Sequence, residues 1–194
     1  MSRFLGLFVA SVSIFLVVAC SRAPQSPAKQ ASPLRPTASI KDIMDSIVDP
    51  SADGIWESVA TIVSATGTEE RRPRTDKDWA EQRRNAVRLV EASNLLVMEG
   101  RQVANPGDKS ENPNIELEPP QIQELIDKDR ETWIKLVHGL HDAAVPALKA
   151  IDSKNAEALL DSGEGIDQAC ENCHLKYWYP NQFAGLEAAT KAAK

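Results

Sequence analysis

Apolar residues recur at helical spacing along most of this chain. From residue 40 onward they return every three or four positions, the period that places them on one face of an α-helix. Asp49-Pro50 interrupts the first such stretch, and because proline cannot continue helical hydrogen bonding, we expect a kink or a new helix start there. The apolar residues of this stretch are Ile40, Ile43, Met44, Ile47, Val48, Ile55, Val59, Ile62 and Val63.

Three further segments carry the same period. A second helix is expected over residues 75–100, because Thr75 has an acidic residue three positions later, a helix-start signal, and a glycine closes the segment. A third is expected over about 129–151, bent by Pro146, and a fourth over about 153–180, where a proline ends it.

Four amphipathic helices without a strand pattern predict an all-α domain, most simply a four-helix up-down-up-down bundle. The connection between the second and third helices, residues 101–120, is rich in Asn, Pro and Gly. A connection that long in a compact domain is usually either functional or disordered, and both interpretations stay open here.

The N-terminus has a different pattern. Residues 1–19 combine a basic residue with an apolar stretch and are typical of a signal peptide. They lead into Val17-Val18-Ala19-Cys20, which resembles the lipobox of bacterial lipoproteins, so we expect cleavage before Cys20 and lipid attachment to its thiol. A transmembrane anchor is the alternative, but the apolar run is short for a span and Gly and Ser residues interrupt it.

Residues 20–37 are expected to form a tether between the lipidated cysteine and a domain of residues 38–194. The segment is rich in Pro, Ser and Ala and has no acidic residue. An extended proline-rich chain advances about 3 Å per residue, so the tether can hold the domain on the order of 50 Å from a bilayer. Ser21 directly after the cysteine resembles lipoproteins sent to the outer membrane, which predicts a periplasmic location.

The domain is acidic once the N-terminal segment is set aside. The whole chain has 22 basic and 28 acidic residues, and the first 37 residues hold four of the basic ones and none of the acidic ones, which leaves a net charge of −10. Such a surface disfavours nucleic acid and favours a basic or neutral protein partner. No phosphate loop, nucleophile motif or acid–base pair is present in the sequence, so we expect neither an enzyme nor a small-molecule substrate.

The strongest chemical signal is Cys170-Glu171-Asn172-Cys173-His174. C-x-x-C-H is the spacing that attaches haem covalently: each thiol adds to one vinyl group, and the imidazole becomes the proximal iron ligand. On a helix the two cysteines and the histidine point to one side. The chance of finding this pattern in a chain of this length is roughly one in a thousand.

The cysteine pair has two other possible interpretations. A redox dithiol requires a thioredoxin-like βαβ context, and no strand is predicted. A zinc site gains His138 and His141 as further ligands, although their order and spacing differ from the usual finger pattern. With Cys20 assigned to lipid, and Cys170 and Cys173 to haem, no thiol remains for a structural disulfide.

The helical pattern, the haem motif on the last helix and Tyr177 three residues after His174 together resemble the class II c-type cytochromes, cytochrome c-prime and its low-spin relatives. The resemblance covers roughly residues 38–182. It implies a four-helix bundle with one covalent haem c on the last helix. In the family a basic residue often follows this aromatic residue directly. In this chain Trp178 occupies that position, and the nearby basic residue is Lys176.

The sixth iron ligand determines which function the resemblance implies. Low-spin members of the family use a methionine early in the first helix, whereas cytochrome c-prime leaves the position open for small gases. At 1.5 Å per residue, His174 lies about 9 Å from a helix end at Pro180, and Met44 about 7 Å from a start near Ser39. Met44 is therefore the first candidate for the distal ligand and Met98 the second, the alternative being that Met44 is an ordinary core residue.

These observations predict a lipid-anchored periplasmic cytochrome c that carries single electrons between redox proteins. A five-coordinate, gas-binding protein like cytochrome c-prime is the competing interpretation, and a zinc-stabilised interaction module is the third. For residues 101–120 we expect either a cover over part of the haem edge or a disordered connector.

Overall fold

The computed structural model describes residues 32–180 and 182. The signal peptide, Cys20 and the first part of the tether lie outside these residues. Helices account for most of the described chain, so the predicted helical class is confirmed. The helical segments are α1 (Ile40–Ile43), a π-helical segment (Met44–Val48), α2 (Asp49–Ser58), α3 (Asp76–Leu96), α4 (Pro119–Lys128), α5 (Arg130–Asp152) and α6 (Ala156–Tyr177).

Side-chain caps determine where the helices begin. Before α3, the Asp78 N–H donates to Thr75 Oγ1 at 3.2 Å and the Thr75 N–H donates to the Asp78 carboxylate at 2.9 Å, which is the predicted capping pair. Ser39 and Asp42 form the same reciprocal pair at the start of α1. Because each pair satisfies backbone N–H groups that have no partner within the helix, it fixes the first turn. The corresponding caps of α5 and α6 are Asp129 and Asn155.

The predicted interruption at Asp49-Pro50 is confirmed. The Asp49 N–H donates to the Met44 carbonyl, five residues back, and α2 starts at Asp49 with a proline in its first turn. Proline has no N–H to donate, and inside a helix its ring would collide with the carbonyl four residues earlier. The wider π-helical turn accommodates that constraint, and such turns occur often at functional sites.

The prediction that the first helix continues through Ile62 and Val63 is wrong. α2 ends at Ser58, and the chain then forms an antiparallel hairpin of β1 (Ala60–Ser64) and β2 (Gly67–Arg71). β1 contains β-branched residues, which favour strands, and Gly67 adopts the positive φ of 136° that the turn requires. An apolar run this short fits both periods, so periodicity alone could not separate helix from strand.

The connection between the second and third predicted helices also differs from expectation. α3 ends at Leu96 rather than Gly100, because side chains of α5 bind its last carbonyls: Trp133 Nε1 donates to Leu96 O at 3.3 Å and Arg130 Nη2 to Val97 O at 2.7 Å. α4 was not predicted, and two prolines at its first positions start it. The irregular connection is therefore residues 97–118 rather than 101–120.

Three long helices and α2 surround one core. α5 packs against α3 and α6, and α2 packs against α3 and α6. The Tyr177 hydroxyl donates to Asp129 O at 3.4 Å, so the end of α6 lies beside the start of α5. Trp133 and Tyr177 are fully buried and meet edge to face at 5.3 Å between ring centroids, a favourable aromatic geometry.

The start of α1 lies at the same end of the unit. The Ile40 N–H donates to Gln102 O at 2.8 Å, the Lys41 N–H donates to Val103 O at 2.9 Å, and the Arg101 guanidinium donates to the Ala38 carbonyl. These bonds join α1 to the connection that follows α3. In the described part of the chain, no helix has both the length and the apolar character that a membrane span requires.

Candidate functional site

The C-x-x-C-H motif lies in the last turns of α6 and lines a cavity. Cys173 is buried, Cys170 is half-buried, and neither forms a disulfide. The two thiols and His174 line a small cavity of about 20 Å³. Its other walls are Met44, Val48, Asp49, Leu96, Val137, Leu140 and Ala169, so α6, α5, α3 and the π-helical segment all contribute.

Met44 lines this cavity from another element. It is half-buried and opens the π-helical segment. Met44, Asp49 and His174 also line a neighbouring solvent-open cleft of about 190 Å³. The structure therefore brings together Met44, Cys170, Cys173 and His174, the residues for which the sequence predicts a shared cofactor.

Other candidate ligands lie elsewhere. Met98 lines neither space, and its sulfur accepts a hydrogen bond from Arg101 Nη2 at 3.1 Å. His138 is exposed, and His141 Nδ1 lies 3.1 Å from the carboxylate of Asp142. Within residues 32–180 and 182, no three Cys, His, Asp or Glu side chains are clustered as a metal site. The set of Cys170, Cys173, His138 and His141 is thus not assembled.

The two thiols lie in an environment that disfavours charge. Burial raises the pKa of Cys170 to about 11, with Asp49 as the next cause, and burial raises the pKa of Cys173 to about 12. Both thiols are therefore protonated at neutral pH. Redox-active cysteines have lowered pKa values instead, so this environment does not resemble that of a thioredoxin-like dithiol.

Asp49 is a site residue for which the sequence predicted only a helix break. Part of it remains in solvent, but the protein packed around its carboxyl group raises its pKa, and the nearby His174 ring partly offsets that effect. Asp49 lies five residues after Met44, one π-helical turn along the chain, and both residues line the cavity. A regular α-helical spacing would not have predicted that these two residues share a site.

Aromatic side chains flank His174 beyond the end of α6. The ring centroids of Trp178 and Tyr179 lie 6.1 and 5.7 Å from that of His174, and both residues line the cleft. The Tyr179 hydroxyl donates to Glu171 Oε1 at 2.7 Å. Burial and this hydrogen bond raise the pKa of Tyr179, so the hydroxyl keeps its proton.

Residues 97–118 form the outer wall of the cleft. The Leu117 N–H donates to Trp178 O at 2.7 Å, which attaches the connection to the end of α6. The Glu116 carboxylate accepts hydrogen bonds from Ser110 Oγ and from the N–H groups of Glu111 and Asn112 at 2.9–3.1 Å. These bonds define the conformation of residues 110–117 at the wall of the cleft, beside the end of α6.

A lysine joins the first helix to this wall. Lys41 Nζ lies 2.9 Å from Asp45 Oδ2 and 2.6 Å from Glu111 Oε1. Hydrogen bonds to Glu111 and Asp45 raise the pKa of Lys41, so it stays charged at neutral pH. Since Lys41, Asp45 and Glu111 all line the cleft, its mouth is polar while the inner cavity is mostly apolar.

The sequence matches no protein-family model, and no curated protein and no solved structure is significantly similar to the chain. A functional assignment must therefore come from the motif and from the side chains around it.

Proposed function

We propose that this chain is a haem-binding electron-transfer protein whose haem is attached covalently. The observation that supports the proposal most strongly is that Cys170, Cys173 and His174 line a mostly apolar cavity together with a methionine, Met44, from another element. Two thiols and an imidazole on one side of a helix are the donor set for thioether attachment and proximal ligation. A methionine thioether is the ordinary distal ligand of an electron carrier.

More particularly, we propose a class II c-type cytochrome of the low-spin kind, with a four-helix up-down-up-down bundle. In this proposal α1, the π-helical segment and α2 together are the first helix, and α3, α5 and α6 are the other three. The contacts of α5 with α3 and α6, and of α2 with the same two helices, support that arrangement. The hairpin and α4 are additions to this arrangement. Lys176, the basic residue nearest to Tyr177, precedes it in the sequence, and its Nζ lies 3.7 Å from the Asp129 carboxylate.

The chemistry of the cavity residues suits a flat, largely apolar group with a metal at its centre, and the space between them, about 20 Å³, has to widen to admit that group. Cys170 and Cys173 would hold it through thioether bonds, and His174 and Met44 would ligate its iron. Haem supplies reversible uptake of one electron when bound. The apolar walls would exclude water from the bound group and lower the local dielectric, and the polar cleft beside them would give a partner access to it. No proton transfer at a protein atom is required.

One optical spectrum tests the proposal. Protein matured in a periplasm with working haem-attachment machinery should show the sharp reduced bands of low-spin haem c, because a nitrogen and a thioether ligand together give a strong ligand field. High-spin bands would favour the gas-binding alternative. A colourless protein that contains zinc would contradict both.

We further propose that Cys20 carries a lipid anchor that holds the domain in the periplasm at the outer membrane. Cys20→Ser should block lipid addition and lipoprotein-type cleavage, so the uncut precursor accumulates and is seen as a larger band. As a control, a cleavable secretory signal fused ahead of Ser21 should yield a red, soluble periplasmic protein. Its recovery in the membrane fraction would contradict the lipid anchor as the basis of membrane attachment.

A further inference from the structure

We propose that Glu171 is a positioning residue for His174: its carboxylate accepts the Nδ1–H of the imidazole and leaves Nε2 as the nitrogen that ligates iron. The inference rests on the proposed function and extends it to a residue inside the haem motif. Glu171 Oε1 lies 3.9 Å from His174 Nδ1. Within residues 32–180 and 182, no other carboxylate forms an ion-pair contact with the His174 ring.

Helix geometry brings the two side chains together. Glu171 lies three residues before His174 on α6, and residues at that spacing are neighbours on a helix surface. Both side chains are partly exposed, at 31% for His174 and 40% for Glu171, so the carboxylate reaches the outer side of the ring without being buried. At 3.9 Å the pair is not hydrogen-bonded, so the proposal requires a rotation of the Glu171 side chain that brings Oε1 within hydrogen-bond distance of Nδ1.

Tyr179 holds the carboxylate in place. Its hydroxyl donates to Glu171 Oε1 at 2.7 Å, the same oxygen that faces His174. The Tyr179 N–H donates to His174 O at 3.0 Å, which turns the chain back over the imidazole. A carboxylate oxygen has two lone pairs, so Oε1 can accept from the hydroxyl and from Nδ1–H together. The Tyr179 hydroxyl thus keeps the Glu171 carboxylate near the imidazole before any ligand binds.

A group that hydrogen-bonds to the non-ligating nitrogen of a metal-bound histidine changes the properties of that ligand. A histidine that donates its other ring N–H to a carboxylate is fixed in one tautomer and becomes a more basic ligand. A more basic imidazole stabilises ferric iron relative to ferrous iron. Glu171 should therefore lower the reduction potential, and its loss should favour the reduced state.

The test uses the haem-containing protein and two measurements. Glu171→Gln should favour reduction about tenfold, which corresponds to about 59 mV for one electron. It should also speed solvent exchange of the His174 Nδ1 proton about tenfold, followed by NMR with ¹⁵N-labelled histidine. Glu164→Gln removes the same charge from an exposed position two turns earlier on α6, so it should change both quantities less than about twofold.

Tyr179→Phe separates positioning from charge. It removes the hydroxyl that restrains Glu171 but leaves every charge in place, so proton exchange should accelerate while the protein keeps its haem. If Glu171→Gln changes the potential without changing exchange, the carboxylate acts by charge alone and the inference is overturned. If both quantities match those of Glu164→Gln, it is overturned as well.

The outcome also separates this inference from the function it rests on. If Glu171→Gln does not accumulate, Glu171→Asp replaces it, because the shorter side chain cannot reach Nδ1. Exchange of the His174 Nδ1 proton should then accelerate in the same way. Unchanged exchange in Glu171→Asp would overturn the inference. A wild-type protein without covalent haem would overturn the proposed function together with this role for Glu171. A haem-containing protein whose Nδ1 proton is insensitive to these changes would overturn the role of Glu171 alone.

Discussion

Cys170→Ala combined with Cys173→Ala should abolish haem staining of the chain on a denaturing gel. Thioether bonds survive denaturation, whereas ligation by His174 ends when the helix unfolds, so haem that remains with the unfolded chain reports the two thiols. The wild-type protein should stain strongly after maturation in a periplasm with haem-attachment machinery. The expected effect is complete loss of staining.

Two controls make this result specific to the motif. A single Cys170→Ala change leaves the Cys173 thiol, so weak staining should remain. Ser162→Ala replaces a buried small side chain on the same helix without touching the cavity, so staining should be unchanged. Staining that persists in the double variant, or that is missing from the wild-type protein, would contradict covalent attachment at these cysteines.

Met44→Ala should convert the iron from low spin to high spin and allow it to bind carbon monoxide. The sulfur of Met44 is the candidate sixth ligand, and alanine has no donor to replace it. Met44 is half-buried, so the loss in stability should be smaller than for a fully buried methionine, on the order of 1 kcal/mol. The absorption spectrum and carbon monoxide titration measure the first effect, and denaturant unfolding measures the second.

Met98→Ala is the matched control for this substitution. Met98 is also half-buried, but its sulfur accepts a hydrogen bond from Arg101 and it does not line the cavity. The spectrum of Met98→Ala should therefore match that of the wild-type protein. A Met44→Ala protein with an unchanged spectrum and no affinity for carbon monoxide would make Met44 a core residue and leave the iron with another sixth ligand.

The hairpin and α4 are the elements that the sequence did not predict. Ile62 and Val63 continue the apolar spacing of the first helix, yet Val63 is 78% exposed in β1 and contributes nothing to the core. The pattern failed there because a five-residue segment with only three β-branched residues fits either period. α4 was missed because the Asn, Pro and Gly residues before it suggested an irregular connection throughout.

The sequence by itself determined the features that depend on neighbouring residues. The long helices follow from periodicity, the start of α3 follows from Thr75 and Asp78, and the break at Asp49-Pro50 follows from the missing proline N–H. The placement of Cys170, Cys173 and His174 on one side of a helix likewise needs only the geometry of that helix, so it can be predicted without a structure.

Only the tertiary structure decided which distant segments share the site. Asp49 joins the cavity because of the π-helical turn, and residues 97–118 face His174 because Leu117 is bonded to Trp178. The approach of Tyr179 to Glu171 depends on the chain turning back after α6. Contacts of this kind are set by how the helices pack, and helix packing depends on the shapes of many side chains at once rather than on any local pattern.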